Sequence, residues 1–132
     1  NSSLSKNLKV IFCIGEKLEE IKNRSAVLKK QLTSLPSKFL SKNIIIAYEP
    51  VWAIGTGKTP TVSEINNIHI SIRKMLHRKV GKEALSISIL YGGSVNSNNS
   101  QEILNLSDVD GALVGGASLK SKEFCKIIDS SN

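Results

Sequence analysis

Four times along the chain, a short and nearly unbroken apolar run gives way to a stretch of helical periodicity. The runs span residues 9–15 (KVIFCIG), 44–48 (IIIAY), 86–91 (SISILY) and 111–114 (GALV). Their shortness, their β-branched residues and their lack of polar alternation predict strands buried on both faces. Residues 16–35, rich in Lys, Glu and Leu, predict a helix that ends at Pro36. Thr61-Val-Ser-Glu64 is a capping box, and it opens a helix with Ile65, Ile68, Ile72, Met75 and Leu76 at helical spacing. Shorter helices are predicted at about 99–106 and over 122–128. Repeated β–α units of this kind imply a parallel sheet with outer helices, either open and doubly wound or part of a closed barrel.

The 132 residues make one domain, 1–132, and with only 5% aromatics its core must be built from Ile, Leu, Val and Ala. No apolar run approaches the roughly 20 residues of a membrane span. Residues 1–9 carry no basic region followed by an apolar stretch and no initiator Met, so the chain is expected to lack a signal peptide and to begin inside something longer or to be processed. Cys13 and Cys125 lie far apart, with neither metal-ligand nor disulfide spacing, and read as reduced thiols of a cytoplasmic protein; no metal or organic cofactor is implied. The net charge of +7 raises the question of nucleic acid. The Lys and Arg residues are nevertheless scattered along the helices without interleaved aromatics, which marks a solvated basic face compatible with an anionic substrate.

Three loops at the carboxyl ends of strands are glycine-rich: Gly55-Thr56-Gly57-Lys58, Gly92-Gly93-Ser94 and Gly115-Gly116-Ala117-Ser118. Glycine admits left-handed backbone and leaves room beside the main chain. That end of a parallel sheet is where α/β proteins bind ligands, and free N–H groups at a helix start suit a phosphate. Three such loops in consecutive units favour anion binding over tight turns alone. A Walker-type loop, suggested by Gly-Thr-Gly-Lys-Thr, lacks its first glycine and does not leave a strand directly. Glu49, followed by Pro50, is pushed toward extended backbone at the end of the second strand.

Residues 47–59 (AYEPVWAIGTGKT) resemble the signature of the triosephosphate isomerase family, including its mobile lid. Cys13-Ile-Gly-Glu16, Tyr91-Gly-Gly-Ser-Val95 and residues 108–119 (DVDGALVGGASL) resemble further strand ends of that family, in the right order. The resemblance runs from about Val10 to Ile128. It implies that Glu49 is the base that moves a proton between adjacent carbons of dihydroxyacetone phosphate and glyceraldehyde 3-phosphate. Pro50, Val51 and Trp52, and then Lys58, Thr59 and Pro60, match the two lid hinges; Ala53, Ile54, Gly55, Thr56 and Gly57 match its tip. Gly55, Ser94, Gly115 and Gly116 match positions that offer N–H groups to the substrate phosphate. Glu16 matches a residue that holds the lid tryptophan, and Cys13 a cysteine packed near the base, with a small buried core thiol as the plainer reading. Pro60 replaces the alanine found at the second hinge of many members, and the helix over 20–31 is about two residues short.

The resemblance also implies the last four β–α units of a (β/α)8 barrel, a fold of roughly 250 residues. The family's first half carries a lysine and an asparagine near the substrate, the histidine that polarises the carbonyl, and the loop that makes its homodimer. No residue here matches them. His69 and His77, on the helix after the lid, read as surface or helix-packing residues. Losing one such electrophile costs roughly 10²–10³ in rate, so the chain is expected to need the missing N-terminal half as a partner. A half barrel alone would expose strand edges and apolar faces. A different class of reading is a non-catalytic, phosphate-binding or self-associating half barrel; a third is a remnant without function.

Overall fold

The computed structural model describes residues 3, 6, 8–40 and 43–131, so the reading of residues 1–9 falls mostly outside it. Four strands, β1 (Val10–Ile14), β2 (Ile44–Tyr48), β3 (Ile89–Tyr91) and β4 (Gly111–Ala112), pair in parallel and in chain order. Each unit adds its strand beside the last with no reversal of direction. That is the progression of a barrel wall, whereas a doubly wound sheet switches sides. All four strands therefore present their carboxyl ends on one edge.

Register divides the sheet into two faces. Ile46 pairs with Ile89 and Tyr48 with Tyr91, and with Ile44 they are fully buried against the helices. This is the main core. It is closed by Ile65, Ile68, Ile72 and Leu76 on α2 (Val62–Val80), by Leu28 and Leu32 on α1 (Arg24–Ser34), by Ile103 on α3 (Ser100–Leu104) and by Ile127 on α4 (Ser121–Asp129). The other face carries Ile11, Cys13, Ile45 and Leu90, and only its Ala47 is fully buried. The expectation of strands buried on both faces thus fails for β1, where Ile11 is 44% exposed and Cys13 is exposed as well. β1 is an edge strand, and among the described residues nothing covers its open side.

The elements are shorter than the apolar runs. Residues 86–88 belong to a 3₁₀ turn (Gly81–Ser86) and the extended approach to β3, and β4 holds only two paired residues. The helix expected over 16–35 divides into a 3₁₀ turn (Leu18–Asn23) and α1, because Glu16 at its start is drawn into the interior. α2 keeps its capping box: the Glu64 amide donates to Thr61 Oγ1 at 3.2 Å, and the Thr61 amide to Glu64 Oε2 at 2.9 Å. It ends at Gly81, whose φ of 63° only glycine adopts cheaply.

Candidate active site

Glu49 leaves β2 between two glycines, and that placement follows from the register. Its amide donates to Ile14 O on β1 at 2.7 Å, and on the other side the Gly92 amide donates to Tyr48 O at 2.8 Å. A methyl group on Gly15 would run into the Glu49 carbonyl, and one on Gly92 would sit 2.5 Å from Glu49 Cγ and 3.1 Å from its Oε1. Both neighbours are stripped of side chains where Glu49 passes, Gly15 beside its carbonyl and Gly92 beside its carboxylate. Glu49 is half-buried and opens into a cleft of about 540 Å³ that also exposes Gly55, Gly92, Gly93, Ser94, Gly115 and Gly116. Carboxylate and glycine loops share one cavity, as the sequence predicts.

The three loops build that cavity in different ways. Close approach explains Gly92. Gly93 is free of a side chain because one would strike the Tyr91 ring. Gly55 and Gly57 have φ of 67° and 74°, with open space around them, so they serve the turn of the loop and crowd nothing. Gly115 and Gly116 are likewise uncrowded. They open a 3₁₀ turn (Gly116–Leu119), where N–H groups have no carbonyl of the turn to bond.

The segment after Glu49 is pinned at its base and exposed at its tip. Pro50 is buried and Val51–Ala53 form a 3₁₀ turn, whereas Ile54, Gly55, Thr56, Gly57 and Lys58 are exposed and Thr59 is half-buried. Ala53 departs from the expected tip: it is fully buried, and its carbonyl accepts the Ser94 hydroxyl at 2.7 Å. The Val51 amide donates to Glu16 O at 3.0 Å, and Trp52 Nε1 donates to Glu16 Oε1 at 3.1 Å.

Glu16 is the centre of this support. It is fully buried and also accepts the Arg24 Nε–H at 2.8 Å and the Tyr48 hydroxyl at 3.1 Å. A buried carboxylate needs this many donors, since an unpaired one would cost several kcal/mol. Burial, then the negative charge of Glu16, raises the Tyr48 hydroxyl well above the ordinary tyrosine range, so it remains a donor. Gln31 grips the neighbouring turn with two bonds, accepting from the Gly15 amide at 2.9 Å and donating to the Gly15 carbonyl at 2.8 Å. The sequence points to Glu16 and Trp52; Arg24, Tyr48 and Gln31 carry no motif and come into reach only when α1 folds back.

Cys13 lies beside the carboxylate on β1 and is exposed, which overturns the reading as a buried core thiol. Partial loss of solvent, then the hydrogen bond to Glu49 and its charge, push the thiol up to about 11. His69 is fully buried among Tyr48 and Tyr91, 6.0 and 6.3 Å between ring centroids, and its Nδ1 lies 3.1 Å from Asp108 O. Burial holds it below the ordinary histidine value. It packs α2 on the sheet and does not line the cleft; His77 is exposed on the same helix. Among the described residues no group of three or more His, Cys, Asp or Glu could hold a metal ion, and no helix is long and apolar enough to cross a membrane.

A parallel sheet wound in one direction, with a carboxylate and glycine loops on its carboxyl edge, matches half of a (β/α)8 barrel. The triosephosphate isomerase family model matches residues 1–131. Triosephosphate isomerase of Lawsonia intracellularis is 49% identical over 132 residues, covering 96% of this chain and 52% of that protein. The Phocaeicola vulgatus enzyme of the same name is 51% identical over 133 residues, covering 96% and 53%. The crystal structure of triosephosphate isomerase from Bartonella henselae superposes with a TM-score of 0.87 at 41% identity, covering 97% of this chain and 52% of that one. The chain belongs to the triosephosphate isomerase family, an isomerase family, and spans about half the length of the curated relatives it matches.

Proposed function

We propose that this chain supplies the base and the phosphate-binding walls of a triosephosphate isomerase, and that four further β–α units complete the site. The observation that carries the proposal is the shared cleft, which Glu49 enters from β2 and which Gly55, Ser94, Gly115 and Gly116 also line. A phosphate seated on those loops would be held by main-chain N–H groups. Holding that end of dihydroxyacetone phosphate would place the adjacent carbons near the carboxylate, which takes a proton from one carbon and returns it to the other, leaving glyceraldehyde 3-phosphate.

Each remaining role follows from position. Residues 50–60 form the lid, with Glu16 holding Trp52 at the first hinge. Pro60 stiffens the second, since its φ is fixed by the ring. The exposed Ile54–Gly57 tip is free to close over the ligand and exclude water from the charged intermediate. Among the described residues no histidine lines the cleft to polarise the carbonyl: His69 lies buried behind the sheet. The open side of β1, with Ile11 and Cys13 exposed, is where further strands would pair. The reaction is therefore proposed for the completed barrel, in a cytoplasmic, homodimeric assembly as in the intact family.

The test is complementation. The chain alone should show almost no isomerase activity, and mixing it with the N-terminal half of a family member should restore it. Glu49→Asp, which withdraws the carboxylate by one methylene, should then lower kcat by about 10²-fold or more, in the range lost when a proton-transferring group is misplaced. A complemented Glu49→Asp chain as active as the unaltered one would refute the role of Glu49. Failure to isomerise when complemented, with phosphate binding intact, would favour a non-catalytic half barrel.

A further inference from the structure

Of the residues lining the cleft, only Lys120 is cationic, and two, Glu49 and Glu123, are anionic. Lys120 closes the turn that begins at Gly115 and Gly116: its amide donates to Ala117 O at 3.3 Å, and it stands at the N-cap of α4. It lines the cleft, is exposed, and takes no part in the ion pairs of the described residues, which join Arg24 to Glu16 and Arg73 to Asp108 and Asp110. Glu123, one turn further on, is turned aside to accept the Ser97 amide at 2.8 Å, and that bond holds its carboxyl below the ordinary range. It therefore stays charged in the cleft, three residues from Lys120, where it disfavours an anion. Lys58, the lid lysine, does not line the cleft.

We infer that Lys120 is a binding residue for the doubly charged phosphoryl group: its ammonium offsets Glu123 and supplies the formal positive charge that neutral amides cannot. This rests on the proposed reading of the cleft as a phosphate site and adds to it a determinant of ligand charge. A lysine serves here as a point charge on a flexible stem, reaching an oxyanion without fixed geometry. Its contribution is electrostatic and so weakens with salt.

The test is titration of the ¹⁵N-labelled chain with inorganic phosphate at pH 8, where the dianion dominates, following the amides of Ser94, Gly115 and Gly116. Lys120→Met should raise the phosphate dissociation constant by about three- to tenfold at low ionic strength, as expected for one partly solvated charge. Lys120→Arg should stay within about twofold because it keeps the charge, and Glu123→Gln should tighten binding. The difference between wild type and Lys120→Met should shrink at high salt. If Lys120→Met binds as tightly as wild type while the glycine amides still move, the inference about Lys120 is overturned and the phosphate cleft stands. If no cleft amide moves in the wild type, both fail.

Discussion

Glu16→Ala tests the support beneath the proposed lid most directly. The substitution removes one acceptor from three donors at once, the Arg24 Nε–H at 2.8 Å, the Tyr48 hydroxyl at 3.1 Å and the Trp52 indole N–H at 3.1 Å. Glu16 has no exposed side-chain surface and Arg24 only 17%, so solvent can compensate little. Deleting one partner of a buried ion pair costs about 3–5 kcal/mol, a large part of the roughly 5–15 kcal/mol that holds a domain together. Glu16→Gln keeps the shape and one acceptor oxygen but loses the charge, and should cost about 1.5–3 kcal/mol. Urea titration followed by far-UV circular dichroism measures both. Trp52 is the only tryptophan, so its emission reports the hinge alone; it should shift to the red in both variants before the global transition. Combining Glu16→Gln with Arg24→Met should cost less than the sum of the two, because the second change removes a cation already orphaned. A Glu16→Ala chain within about 1 kcal/mol of wild type, well below the buried-pair range, with unchanged emission would show that this network does not hold the hinge.

Two further outcomes follow from the shifted groups. Burial keeps the folded His69 below its ordinary value of 6.5, so the unfolded chain takes up the proton first as pH falls. Stability should be full above pH 6.5 and decline below it, by at most about 1.4 kcal/mol per pH unit; His69→Gln should flatten that decline, and an unaltered slope would refute the assignment. Cys13, pushed up to about 11 against an ordinary thiol value of 9.0, holds roughly 100-fold less thiolate at pH 8 than a free thiol. Mass spectrometry after brief iodoacetamide treatment should therefore find it slow to alkylate despite its exposure, and faster in Glu49→Gln, which loses the charge that opposes the thiolate. Equal rates in the two chains would mean that Cys13 and the Glu49 carboxylate are not in contact.

Local order was legible in the sequence wherever it is set by local chemistry. The IIIAY run became β2 residue for residue, Thr61 and Glu64 closed their capping box, and the glycine loops fell on one edge with Glu49 among them. What escaped depends on distance in the chain. β3 is only three residues, and Arg73 on α2 takes the Ala84 and Ile87 carbonyls at its approach. His69 shows no sign in its own segment that two tyrosines from different strands will close around it. The two-faced burial expected of β1 failed for a related reason. An apolar run states what a strand can be buried against, and the cover itself belongs to other elements.

That distinction separates what Glu49 has from what it lacks in this chain. Its position is fixed from within: β1 and β3 flank it, Gly15 and Gly92 give way on either side, and the register allows no other residue to stand there. Its environment is not. One wall of the carboxylate's surroundings is Cys13, which lies on an edge strand open to water. Proton abstraction from carbon needs both a placed base and a site from which water is excluded. The glycine loops and the lid can supply part of that exclusion from the carboxyl edge, but only cover on the open side of β1 can supply it from the flank. On the proposed reading, added strands there would act on the chemistry twice, by bringing electrophiles to the substrate and by drying the carboxylate already in place.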